Sequence, residues 1–126
     1  MDKNVTLTTG KYLFAIPFLV FGIFHFMDAQ GMAGMVPGFI PGGVFWVYLT
    51  GAALIAAAVS VFIGKKTVLA MQLLALMLII FVLTIHLPAT LSDMNAAPNL
   101  LKDLSLAGGA LLLSCIAMGE ASSVTE

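Results

Sequence analysis

The sequence predicts an all-α protein, an integral membrane four-helix bundle. Three observations carry that expectation. Hydrophobic residues make up 61% of the 126 and charged ones 9%, against roughly 45–50% and about 25% in a soluble domain. A chain this short has no means of hiding so much apolar surface from water, because small domains bury the smallest fraction of what they carry. The charges are also placed unevenly, and leave the uncharged stretches 12–27, 29–64, 67–92 and 104–119. A helix needs about 20 mostly apolar residues to cross a bilayer. Finally, a residue that stops helices closes each stretch.

With loops trimmed and terminal lysines allowed to reach the interface, the helices fall near 8–27, 44–63, 67–87 and 100–119. The first ends at Gly31 and Gly34, the second at Gly64, the third at Pro88 and the fourth at Gly119. Pro17 removes one backbone hydrogen bond from the first and predicts a kink there. In the second, Ala52, Ala56, Ser60 and Gly64 form a small-residue stripe, expected to be the main packing seam, with Gly108, Gly109, Ala110 and Ser114 of the fourth helix opposite. In the third, Gln72, Ala75, Ile79, Val82 and His86 share a stripe, with Gln72 expected inside because an amide facing lipid lacks partners. The whole chain, 1–126, reads as a single transmembrane domain, its first helix retained rather than cleaved as a signal.

Lys3, Lys11, Lys65 and Lys66 lie on one side of such a topology and Lys102 alone on the other. Both termini are therefore expected in the cytoplasm. A net charge of −1 argues against nucleic acid, which needs a basic surface. There is no arginine to clamp phosphate or carboxylate. The single cysteine, Cys115, permits no internal disulfide and reads as a small buried hydrophobe. No phosphate loop, dinucleotide glycine pattern, nucleophile elbow, haem-attachment motif or zinc helix is present. That removes most ordinary enzyme classes and favours a chain that is not catalytic on its own.

The residues with chemistry to offer sit at the outer ends of these helices. His25 and Asp28 stand at i and i+3, a spacing at which side chains meet. A carboxylate beside an imidazole suits proton transfer, a hydrogen bond to a quinone oxygen, or metal ligation. The plainer alternative is a helix-end histidine at the headgroup level beside a solvated Asp28. His86, just before Leu87-Pro88, falls in the same layer. The two histidines with Asp28 or Asp93 offer a ligand set for a metal, but no HxH, HxxxH or ExxH pair within one helix supports such a site. Trp46 and Tyr48 fit an aromatic belt, with Trp46 alternatively stacking on a ring ligand. Lys102 and Asp103 read as an interface anchor. The linker from 29 to 43, uncharged and carrying Met32, Met35, Val36, Phe39 and Ile40, is expected to lie in the interface or fold over the bundle. The eight methionines read as packing.

The order GIFHF, then MVPGFIPGGVFWVYLTG, then GKK, then an apolar helix ending TIHLP, covers residues 11 to 118 and resembles the DoxX-like family of small four-helix membrane proteins. That resemblance implies the bacterial inner membrane and a link to redox work, since some relatives serve a thiosulfate:quinone oxidoreductase or complexes handling oxidative stress. Many relatives carry an acid in a TGxxE pattern; here Leu54 takes its place. The expected function is an auxiliary subunit of a quinone-linked redox system, with a quinone or a lipid headgroup touching His25, Trp46 and His86, and Asp28 a further candidate ligand-binding residue. The alternative is a structural accessory subunit without a redox role. The expected partners are the lipid bilayer and a larger membrane protein or further copies of this chain.

Overall fold

The computed structural model describes residues 1–125. It is all-α, and four of its helical stretches are long and apolar enough to cross a membrane: Lys3–Met27, Val44–Ile63, Thr67–Ser92 and Met94–Ser123. The helices group into two compact units, Met1–Ala70 and Met71–Glu126.

In the first unit, α1 (Lys3–Met27) begins earlier than expected because Asp2 caps it. The Asp2 carboxylate accepts the Asn4 N–H at 3.1 Å, and its carbonyl accepts the Thr6 hydroxyl at 2.8 Å. Both satisfy the start of the helix. The helix is continuous through Pro17 and ends at Asp28, whose N–H reaches the Phe24 carbonyl. The break thus comes before Gly31 and Gly34, and a single turn, α2 (Ala29–Met32), follows it. A tight turn, Ala33–Met35, comes next. Then α3 (Val44–Ile63) runs to Gly64, which adopts φ +68° and closes the helix as expected. The Thr67 hydroxyl returns to the Ser60 carbonyl at 3.0 Å and tightens this link.

Helices α1 and α3 pack antiparallel. Tyr12 stacks on Phe62 and Phe26 meets Tyr48, each pair with ring centroids 5.5 Å apart. Midway, the backbones close to glycine distance. A Cβ on Gly22 would lie 2.8 Å from the Gly51 carbonyl oxygen, and one on Gly51 would lie 2.7 Å from the Cβ of His25. The seam therefore differs from the expected Ala52–Ala56–Ser60–Gly64 stripe. The buried face of α3 is Val47, Gly51, Leu54, Ala57, Ala58, Ser60 and Val61, so of the expected stripe Ser60 is buried, while Ala52, Ala56 and Gly64 are exposed. Small residues on both flanks made the two stripes alike in sequence. Gly51 decides between them, because it sits opposite the other glycine.

The third span is longer than expected. It comprises α4 (Thr67–Phe81), a π-turn over Val82–His86 and α5 (Leu87–Ser92). Pro88 does not stop it. Proline has no N–H and its ring crowds the carbonyl four residues back. The preceding turn widens to i→i+5 pairing, with the Leu87 N–H on the Val82 carbonyl, and the helix continues. Gln72 is exposed, correcting the inward placement, and so are Ile79 and Ile80. Gln72 is five residues from the start of α4, about 7.5 Å along it, so its amide remains near the interface. The buried positions are Met71, Leu74, Ala75, Leu78 and Val82.

After a turn at Met94–Ala96, α6 (Ala97–Thr125) meets the third span at the π-turn and α5. It runs on through Gly119. Its buried face is Asp103, Ala107, Ala110, Leu113, Ser114 and Ala117. Gly108 is exposed. Cys115 is exposed too, not buried, since it lies one residue past that face.

Candidate functional site

The strongest polar arrangement is in the second unit. The Nε2 of His86 stands 2.9 Å from Oδ2 of Asp103, and the Lys102 Nζ stands 3.5 Å from Oδ1. Asp103 is 4% exposed; Lys102 keeps 47% of its side chain exposed. The carboxylate is thus buried between an imidazole and an ammonium reaching it from the surface. The Thr90 hydroxyl, also buried, donates to the His86 carbonyl at 2.7 Å. Counting along the helices, His86 is about 9 Å from the Ser92 end of α5, and Asp103 about 9 Å from the start of α6.

The π-turn ends on His86 itself. Such turns rotate the side chains beyond them relative to the preceding helix and recur at functional sites. The local cause is Pro88, two residues on, so one proline both widens the turn and sets where the imidazole stands. The geometry also fixes its hydrogen. A carboxylate only accepts, so a neutral His86 carries its proton on Nε2 and keeps the lone pair on Nδ1.

In the first unit His25 is half-buried beside Gly51. Its Nδ1 lies 2.6 Å from the Phe21 carbonyl, which fixes the opposite tautomer, with Nδ1–H donating and Nε2 bearing the lone pair. Asp28 does not share that bond. It is exposed, and its carboxylate lies over Gly31. The helix leaves α geometry at Asp28, φ −128° and ψ 41°, so the i, i+3 alignment with His25 is lost. Trp46 donates its indole N–H to the Pro41 carbonyl at 2.7 Å and packs edge-on against Phe45. Among the described residues there is no group of three or more metal-ligating side chains.

Asp103 is the residue that sequence reasoning passed over by treating Lys102-Asp103 as one exposed anchor. The signal was present. Asp103 stands in register with Ala107, Ala110, Ser114 and Ala117, the small-residue face of α6, whereas Lys102 is off that face.

A model for a domain of unknown function, DUF8561, matches residues 14–118. This chain belongs to that family. The match takes in the α1–α3 glycine contact and the whole His86–Asp103 site. It is a match to DUF8561 and carries no DoxX assignment. No curated protein and no solved structure matches the chain. Leu54, which stands where the TGxxE pattern has its acid, is 5% exposed on the buried face of α3. An apolar side chain suits that buried position, and the buried carboxylate of this chain is Asp103, paired with His86.

Proposed function

We propose that this protein is an auxiliary subunit of a quinone-linked redox system in a bacterial inner membrane, with both termini in the cytoplasm. In this reading 1–126 is one membrane domain, and His86 with Asp103 is the place where a quinol headgroup exchanges its proton. The DoxX-like order of motifs supports the assignment to redox work. The observation that carries the site is the buried Asp103 carboxylate bonded to an imidazole inside membrane-span helices. An ionisable pair there is costly to insert and is kept for a reason.

The residues fit a quinol. Asp103 holds the Nε2 hydrogen of His86, so the Nδ1 lone pair is the proton acceptor. Asp103 also stabilises the imidazolium once the proton has moved, as a carboxylate does beside any histidine base. Lys102 balances the carboxylate before that transfer. A bound quinol would supply two electrons and two protons: the electrons would go to a redox partner of the parent complex, one proton to His86 Nδ1 and the other to interfacial water, so His86 with Asp103 would handle one of the two protons.

The test is equilibrium binding of a radiolabelled short-chain quinone to the protein in lipid nanodiscs, measured against empty nanodiscs. Wild type is expected to bind saturably above the empty-nanodisc background, and His86→Leu and Asp103→Leu to weaken binding at least tenfold. Equal binding by all three proteins overturns the reading. Purification in mild detergent with a stoichiometric protein partner and no quinone would instead support a structural accessory subunit.

A further inference from the structure

We propose that the linker Ala29–Gly43 is a membrane-inserted cap, seated in the headgroup–acyl boundary of the bilayer with Phe39 as its anchor. The linker joins two membrane-length helices, one ending at Met27 and the other starting at Val44, so both its ends leave from the bilayer surface. No residue from Ala29 to Gly64 is charged. Two of its large apolar side chains are exposed, Phe39 at 82% and Met35 at 54%, with Met27 and Phe45 exposed at the two ends, while Met32, Val36 and Ile40 are half-buried. A linker made for water would put polar groups in these places.

Part of the linker backbone bonds within itself, which lowers the cost of leaving water. The Met32 N–H reaches the Asp28 carbonyl at 3.0 Å, Val36 reaches Ala33 at 3.2 Å, and Ile40 reaches Pro37 at 3.0 Å. Phe45 reaches Gly42 at 2.7 Å. Pro37 and Pro41 have no N–H to satisfy, and the Pro41 carbonyl takes the Trp46 indole. That bond ties the linker to the first turn of α3 through the residue type that favours the membrane interface. Asp28, exposed at the start of the linker, stays with the headgroup water. Lipid is the occupant these facts select, because the apolar side chains continue outward from helix ends already in the bilayer.

The experiment places a nitroxide at Phe39→Cys in a Cys115→Ala background, in nanodiscs of phosphatidylcholine and phosphatidylglycerol. Lys65→Cys, in the link after α3, serves as the wet control, and Met35→Cys as a second site in case the first variant folds poorly. Power saturation is read with oxygen, which concentrates in lipid, and with a polar nickel complex, which stays in water. The expected result is oxygen dominating at both linker sites and nickel at Lys65. Nickel dominating at Phe39 and Met35 would show a wet loop and overturn the proposal. Low collision rates with both reagents would show a second copy or another protein covering the linker, and would overturn it equally.

Discussion

Removing His86 and Asp103 singly and together tests whether the pair is one unit. In His86→Leu, a carboxylate with 6% of its side chain exposed loses its imidazole. A hydrogen bond to a charged group is worth about 1.5–3 kcal/mol, and the carboxylate left behind keeps only its Lys102 contact, which places this case at the high end, about 3. In Asp103→Leu the neutral imidazole keeps an unpaired Nε2–H, worth about 1–3 kcal/mol. Lys102, half exposed, loses a bond worth about 0–1 kcal/mol after solvent screening. The double variant buries two apolar side chains instead, which is neutral or stabilising in comparable sites by about 1–4 kcal/mol. Singles summing to about 5 kcal/mol against a double near zero give a coupling of roughly 3–5 kcal/mol, far above the scatter for independent sites. The assay is unfolding of the four proteins in mixed micelles of mild detergent and dodecyl sulfate. A double variant whose cost equals the sum of the singles within about 0.5 kcal/mol would refute the reasoning, because the two side chains would then not depend on each other.

Gly51→Ala and Gly22→Ala should each destabilise by about 1–3 kcal/mol in the same assay, since the new Cβ meets backbone or the His25 Cβ. Gly108→Ala, with nothing within 4 Å, should stay neutral or gain up to about 1 kcal/mol of helix propensity; equal losses at all three sites would contradict the α1–α3 contact. Long-range nitrogen NMR of the neutral histidines should show His86 protonated at Nε2 and His25 at Nδ1, and a shared tautomer would contradict one of the two hydrogen bonds. Pro88→Ala should let the π-turn relax to regular pairing and rotate His86 off Asp103. The coupling measured above should then fall by half or more in that background, and an unchanged value would mean that the turn does not position the imidazole.

Composition and charge spacing determined the solvent, the helical class and the approximate positions of the four membrane-length helices. Those properties follow from local sums: apolar content, the length needed to cross lipid, and the few residues that break or cap a helix. Gly64 was legible in this way because a left-handed C-cap is a local demand. Pro88 and Gly119 were misread as stops because the same residues are tolerated where neighbouring turns adjust, and a local rule does not contain the neighbours. The site divides along the same line. His86 was singled out from its sequence, and so was His25, but the partner of each depended on structure. Asp28 follows His25 by three residues yet turns to Gly31 because the helix ends there. Asp103, 17 residues from His86, becomes its partner only because α6 meets the π-turn. The choice between two small-residue stripes on α3 also waited for the facing helix, since only the opposed glycines show which stripe admits a backbone. Period and composition fix which residues belong in lipid. Which polar groups meet there is set by helix rotation and register, and those come from packing between segments far apart in the chain.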